Sequence, residues 1–251
     1  MANNFSGDAN CKALWKFESG ALTTDSKGSN TLSNTGVAGD TTNQKEGNGC
    51  GDWELTESDY MSIADASLDA GFPLKSGDTN KNISICAWIK LESITDVNII
   101  LCKWGNPVPP TRSIALSITI AGKAQLVLGY NSGASGEFEI HATVLSTGTW
   151  YHITGTYQNS DKAYAVMVRD ANGNVVGTDL TGTATLDANK LYVAAEPVAI
   201  GCEKTSTTPV TFFDGLIDEV IVFSDIITAT EATAIAKGIY GVKPWYYYAQ
   251  Q

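Results

Sequence analysis

The sequence predicts an all-β protein, a two-sheet antiparallel sandwich with one short C-terminal helix. Short runs of β-branched and aromatic residues alternate with clusters of Gly, Ser, Thr, Asn and Asp, a pattern typical of sandwiches. The chain has 251 residues, which is enough for one large sandwich with a substantial core. Helix signals converge at one place, where Thr228 and Glu231 have capping-box spacing and Gly238 ends the run.

The strands are predicted from runs of residues that favour extended backbone. The clearest run in the first half is 83–91, and we expect 97–103 to pair with it. A hairpin is predicted where 113–120 and 125–130 flank the turn at 121–123. The remaining predicted strands are 12–18, 53–63, 137–144, 150–157, 163–169, 198–202 and 216–223.

The last of these runs, 216–223, is predicted to be a central strand because both of its faces are largely apolar. Strict alternation places Asp218 with Val220 on one face, and Ile217 with Glu219 on the other. Two adjacent carboxylates inside a core strand are costly unless they are paired or bound to a metal. We therefore expect some group to compensate the charge of this acid pair.

The chain is acidic, and its negative charge limits the classes of partner that we expect it to bind. The formal net charge is −11 and the sequence pI is about 4.5. Nucleic acid is excluded as an expected partner, because phosphate neutralisation requires clustered Lys and Arg. The sequence lacks an apolar run of about 18 residues, so no membrane insertion is predicted. Residues 1–8 do not resemble a secretory signal. We expect an extracellular or virion-surface location, and a cytoplasmic one stays open.

Five cysteines leave at least one thiol unpaired in any intramolecular scheme. None forms a Cys-x-x-Cys pair, which argues against structural zinc. Our preferred interpretation is buried free thiols. The alternative is a disulfide between Cys86 and Cys102, since these residues lie on neighbouring predicted strands.

Several motifs in order resemble the laminin-G-like, concanavalin-A-like jelly-roll family. They are Asp-Ser-x-Gly at 25–28, Ala-Trp-Ile at 87–89, Trp-Tyr-His at 150–152, Ile-Gly at 200–201 and Gly-Leu-Ile-Asp-Glu at 215–219. The resemblance implies one jelly-roll domain over residues 1–241, followed by an aromatic tail at 242–251. It is specific for the fold and much less specific for the function.

The same resemblance implies one structural calcium ion at the rim of the sandwich. Carried over to this chain, the ligands are Asp25 and Asp218, with backbone carbonyls near Gly28 and Asn30 as helpers. Oxygen donors of these kinds are those that Ca²⁺ takes in proteins. The alternative is that each aspartate is hydrogen-bonded to backbone.

The superfamily also includes β-glucanases, whose catalytic strand carries acids at alternate positions. In this chain Glu137, Glu139 and His141 share one strand face. A retaining glycosidase needs two carboxyl groups about 5–5.5 Å apart, and this pair could approach that separation. However, His141 stands where the glucanase pattern has a third carboxylate. We therefore favour a solvated polar face over a catalytic one.

Glycan binding is the leading prediction for activity. Sugar sites combine aromatic faces with hydrogen-bonding side chains. The candidate residues lie in two predicted loop regions and are Trp104, Asn106, Arg112, Tyr130 and Asn131. The predicted function is thus a non-catalytic binding or adhesion module for a glycan or polysaccharide. The first alternative is a virion or cell-surface structural protein that assembles or oligomerises through the 243–251 tail. A β-glucan hydrolase is the lesser alternative.

Overall fold

The computed structural model describes residues 2–105, 111–130, 134–186, 191–204 and 208–242. Two antiparallel sheets face each other, and a two-stranded hairpin and one α-helix in the described residues flank them. The predicted all-β sandwich with a short C-terminal helix is confirmed. The tail at 243–251 lies outside the described residues.

One sheet has eight strands. They are β1 (Cys11–Trp15), β3 (Ala38–Asp40), β4 (Cys50–Trp53), β6 (Ile83–Leu91), β11 (Trp150–Tyr157), β12 (Ala163–Arg169), β13 (Leu180–Thr183) and β17 (Gly215–Phe223). Their order is β13-β12-β11-β6-β17-β4-β3, and β1 also pairs with β17. The two longest strands of this sheet, β6 and β17, therefore lie side by side at its centre.

The other sheet has seven strands. They are β2 (Ser33–Thr35), β5 (Tyr60–Ile63), β7 (Asn98–Gly105), β8 (Thr111–Ile118), β9 (Lys123–Tyr130), β10 (Ser135–Val144) and β14 (Val198–Ile200). Their order is β10-β9-β8-β7-β14-β5-β2, which makes β10 an edge strand. The separate hairpin consists of β15 (Cys202–Lys204) and β16 (Pro209–Phe212). Two short 3-10 turns lie at Leu55–Glu57 and Asp65–Ser67.

The main core lies between the two sheets because alternate side chains of their central strands are apolar. Ile85, Ala87 and Ile89 of β6 are fully buried there, opposite Leu116 and Leu126 of the other sheet. At Gly155 of β11, a Cβ atom would lie 2.9 Å from Leu116 and 3.0 Å from Leu126. Glycine at this position therefore allows the sheets to approach closely.

A β-bulge in β17 corrects the strict alternation that the sequence suggested. The register with β6 shifts between Asp218 and Ile221, and Glu219 has a left-handed φ of +49°. As a result Ile217 and Val220 both pack into the main core, although alternation placed them on opposite faces. The prediction that β17 is central is confirmed, since all nine of its residues are buried.

The predicted pairing of 97–103 with 83–91 is wrong, because the connection crosses from one sheet to the other. β6 pairs with β11 and β17, whereas β7 pairs with β8 and β14. Cys86 and Cys102 consequently face away from each other, in separate clusters outside the main core. The alternative of a Cys86–Cys102 disulfide is therefore wrong, and the preferred interpretation is confirmed: all five cysteines are free and buried.

The helix α1 (Ala229–Ala236) begins where the sequence predicted. Thr228 accepts a hydrogen bond from the Glu231 backbone, and the Glu231 carboxylate accepts one from the Thr228 backbone, which completes the capping box. Its buried residues Ala232 and Ile235 pack on the outer face of the eight-stranded sheet. Among the described residues, no helix has the length and apolar content needed to cross a bilayer.

Candidate functional site

A groove of about 200 Å³ runs across the outer face of the seven-stranded sheet. Its floor is apolar and is formed by the outward side chains of β7, β8 and β9, namely Ile99, Cys102, Trp104, Ala115 and Val127. Ser117 and Gln125 add polar groups to the lining, and the hairpin contributes Glu203 and Thr211. Small residues at 115 and 117 give the groove its depth between larger neighbours.

The aromatic residue exposed in this groove is Phe138 of the edge strand β10. Its side chain is 56% exposed and lines the groove, and Ile140 on the same face is 44% exposed. An exposed aromatic at the rim of an apolar groove is a suitable platform for a ligand that presents a flat apolar face.

At one end of the groove, Trp104 contacts two charged residues, Arg112 and Glu203. The Arg112 guanidinium lies 4.9 Å from the centroid of the Trp104 ring. Burial raises the pKa of the Glu203 carboxyl, and the positive charge of Arg112 and a hydrogen bond from Trp104 partly offset this effect. At Gly136 a Cβ atom would lie 3.3 Å from Trp104, so glycine leaves room for the indole.

The structure brings together only part of the predicted glycan-binding set. Trp104 and Arg112 meet at the groove, but Trp104 is 6% exposed and forms the floor rather than a free stacking surface. Tyr130 packs against the main core between the sheets and does not line the groove. Asn106 and Asn131 lie outside the described residues.

Sequence reasoning missed most of the groove lining, including Phe138, Ser117, Gln125 and Glu203. Alternation in β10 was a usable signal for the first, because it places Phe138 opposite Glu137 and Glu139. Glu203 had no local signal, since it reaches the groove through a hairpin whose register shifts next to it.

The predicted acid pair of β10 lies on the opposite face from Phe138, away from the groove. The Glu137 carboxylate accepts hydrogen bonds from the Thr185 backbone N–H at 2.8 and 2.9 Å and from its hydroxyl at 3.0 Å. Burial raises the pKa of the neighbouring Glu139, and a Tyr164 hydrogen bond opposes that rise. His141 is fully buried, and its Nδ1 accepts a hydrogen bond from Thr143. These contacts connect two sheet edges, and a hydrogen bond between Glu137 and Glu139 also raises the pKa of Glu139.

Three of the four predicted calcium ligands, Asp25, Gly28 and Asn30, lie together, and the fourth, Asp218, lies apart from them. The Asp25 carboxylate accepts hydrogen bonds from the backbone of Leu14, Lys27 and Asn30 and from the Asn30 side chain. Gly28 lies next to Asp25: a Cβ atom at position 28 would be 2.8 Å from the Asp25 carboxylate. Asp218 instead accepts from the backbone of residues 45 and 46, at 2.9 Å each.

Strand β1 separates the two aspartates. Trp15 of β1 pairs with Val220 on one side and with Asp25 on the other, so the backbones at 25 and 220 are two strand spacings apart, about 10 Å. Within the described residues, no three His, Cys, Asp or Glu side chains are close enough to hold a metal ion. The predicted set therefore does not fit one shared calcium site here, and calcium binding stays a prediction.

The central acid pair has two kinds of partner in this arrangement: backbone N–H groups at Asp218 and the Lys16 ammonium at Glu219. Burial, followed by the nearby Glu219, raises the pKa of Asp218 to about 8. Burial also raises the pKa of Glu219 to about 7, although Lys16 lies 3.7 Å away and opposes the rise. Near neutral pH this favours the protonated form of Asp218, whereas Glu219 titrates beside Lys16.

The family of the chain follows from its sequence and its fold together. Residues 55–233 match the model of the concanavalin A-like lectin/glucanases superfamily, and the chain belongs to this family. The expected resemblance is confirmed. No curated protein sequence is similar enough to this chain to give a significant match.

Three solved structures illustrate the shared fold. One is domain 4 of AbnA, a GH43 extracellular arabinanase from Geobacillus stearothermophilus, whose structure was solved with arabinotriose. Its sequence is 18% identical to this chain, and the TM-score is 0.60 over 90% of this chain and 98% of that one. The CBM40 of Ruminococcus gnavus IT-sialidase, bound to α2,3 sialyllactose, is 17% identical, with a TM-score of 0.52 over 62% and 83%. The binding domain of botulinum neurotoxin serotype D/C is 11% identical, with a TM-score of 0.61 over 92% and 53%.

Proposed function

We propose that this chain is a non-catalytic carbohydrate-binding module and that its ligand lies in the groove on the outer face of the seven-stranded sheet. The observation that carries the proposal is the exposed Phe138 in the same groove as the polar side chains of Ser117, Gln125 and Glu203. A sugar ring offers C–H groups to an aromatic face and hydroxyls to side-chain acceptors, and this combination suits both.

Two neighbours of the same fold support a sugar as the ligand. The arabinanase domain was solved with arabinotriose and the sialidase module with sialyllactose. Both are modules of larger glycan-cleaving enzymes, and the first of these enzymes is extracellular. We propose an extracellular location for this chain by the same comparison.

The non-catalytic part of the proposal rests on the positions of the carboxylates. Hydrolysis by a retaining mechanism uses two carboxyl groups that flank the same glycosidic bond. Glu203 is the one carboxylate among the described residues that line the groove. Glu137 and Glu139 face the other side of β10, where Thr185 holds Glu137. A glycan in the groove would therefore meet a single acid.

The binding proposal is tested by calorimetric titration after a glycan-array screen, comparing Phe138→Ala with Ile120→Ala. Both residues are exposed and apolar, at 56% and 65%, but Ile120 does not line the groove. We expect Phe138→Ala to weaken glycan binding roughly tenfold or more and Ile120→Ala to leave it unchanged. Equal effects of the two variants would place the ligand elsewhere, and an array without any bound glycan would refute the function.

Calcium binding is a separate proposal with its own test. The melting temperature is measured with Ca²⁺ and after EDTA treatment, for the natural protein and for Asp218→Asn. Calcium that binds only the folded state would raise the melting temperature, and Asp218→Asn would abolish that rise. If neither Ca²⁺ nor EDTA changes the melting temperature, the calcium proposal is refuted and the glycan-binding proposal is unaffected.

A further inference from the structure

The charge inside the groove is of one sign. Glu203 is the only residue with a formal charge among the described groove-lining residues, and the floor around it is hydrocarbon. Arg112, outside the lining, lies 4.9 Å from the centroid of the Trp104 ring, and its positive charge partly offsets the effect of burial on the pKa of Glu203. Lys204, next in the chain, lies over the Tyr60 ring at 4.7 Å. The chain as a whole carries a formal charge of −11.

The backbone fixes where this carboxylate is presented. Glu203 pairs with Val210 in the β15–β16 hairpin, whose register shifts between Cys202 and Glu203. Cys202 is anchored below, since its carbonyl accepts a hydrogen bond from the Cys102 thiol at 3.1 Å. The carboxylate is therefore held at the groove wall, above a floor of low polarity.

We propose that the groove selects neutral glycans over acidic ones and that Glu203 is the specificity-determining residue. This inference rests on the proposed function. The Glu203 carboxylate accepts charge-assisted hydrogen bonds from sugar hydroxyls, which are stronger than bonds between neutral groups. A sialic or uronic acid would bring a second carboxylate next to it over an apolar floor, where like charges repel strongly.

The groove crosses four strands of the sheet, so we take a short oligosaccharide as the ligand to test. The lining extends from the hairpin across β7, β8 and β9 to Phe138 on β10. The four sheet strands span three spacings, about 14 Å. A ligand of that length would contact Glu203 near one end and Phe138 near the other.

The experiment is isothermal titration with neutral trisaccharides (arabinotriose, xylotriose and cellotriose) and acidic ones (trigalacturonic acid and α2,3 sialyllactose). The variants are Glu203→Gln and, as a control with the same charge change on an exposed turn outside the groove, Glu57→Gln. Thermal melting of each variant checks that it is folded.

We expect the natural protein and Glu57→Gln to bind a neutral trisaccharide at least tenfold more tightly than either acidic one. Glu203→Gln should weaken neutral binding roughly tenfold and reduce the discrimination to about threefold or less. Acidic glycans that bind as tightly as neutral ones, or discrimination that survives Glu203→Gln, would overturn the selectivity while leaving glycan binding intact. Absence of binding to any glycan would overturn the proposed function as well.

Discussion

The two outer faces of this sandwich differ in what covers them. The outer face of the eight-stranded sheet is covered in part by α1 and by the loop at 43–48 (the covered face), and a groove of about 460 Å³ remains between β11–β13 and the start of α1. The outer face of the seven-stranded sheet is only partly covered by the β15–β16 hairpin and keeps an open apolar groove. We infer that the covered face serves stability and the open face serves binding.

Charged residues on the covered face illustrate this division. The Arg169 guanidinium makes two hydrogen bonds to Asp179, at 2.6 and 2.9 Å, and a third to Thr233 of α1. His152 is buried against Trp88, and burial lowers the pKa of the imidazole to about 3, so this histidine is neutral and structural. Arg169, Asp179 and His152 are ionisable residues, and in this structure their role is to stabilise the fold.

The largest difference between the faces is expected in stability. Trp88 on the covered face is 1% exposed, whereas Phe138 on the open face is 56% exposed. Trp88→Ala should lower the free energy of unfolding by about 3–5 kcal/mol, because it leaves a large cavity. Phe138→Ala should change it by about 0.5 kcal/mol or less. Urea denaturation measures both, and similar losses would contradict the division.

The next effect concerns the buried ion pair. Arg169→Met should lower the free energy of unfolding by about 3 kcal/mol, because it leaves Asp179 without its bidentate partner. The effect on glycan affinity should be negligible, since Arg169 is remote from the groove lining. Denaturation and titration of the same sample separate the two outcomes. A variant that keeps its stability but loses glycan binding would reverse the roles of the faces.

A pH-dependent effect of a few kcal/mol is expected from the acid pair on β17. The folded protein holds the pKa of Asp218 at about 8 and that of Glu219 at about 7, well above their ordinary values. Raised carboxyl pKa values mean that the folded state binds more protons than the unfolded state. Stability should therefore be full near pH 4 and decline as the pH rises towards 8.

Denaturation at several pH values measures this decline. Asp218→Asn keeps the size of the side chain and removes its titration, so the decline should become shallower. A pH profile that is flat between 4 and 8 in the natural protein would show that the pair is neutralised in another way. Added calcium that flattens the profile would favour a metal at this position.

The sequence predicted the secondary structure better than it predicted the pairing of strands and the groove. The alternation of 83–91 and 150–157 and the capping box at Thr228 were sufficient to predict strands, sheet type and helix. The bulge at Glu219 and the crossing from β6 to β7 were not, because both depend on which strands become neighbours. The groove depends on pairing as well, since it joins residues from β7 to β10 with Glu203.

The smallest expected effect is at the thiols. All five cysteines are buried, and burial raises the pKa of Cys102 to about 12, although this residue lies in the groove floor. The native protein should not react with a thiol reagent such as Ellman's reagent within minutes, and all five thiols should react after denaturation. Rapid reaction of Cys102 in the folded protein would show that the groove floor opens. It would contradict the description of the floor as closed.

The most direct measurement of the central claim is chemical-shift mapping of ¹⁵N-labelled protein titrated with a neutral trisaccharide. We predict that the perturbed amides cluster at Ser117, Gln125, Phe138 and Glu203 on the open face. Amides of α1 and of the loop at 43–48 should not move. Perturbations that centre on the covered face, or on the Glu137–Thr185 contact, would contradict the account.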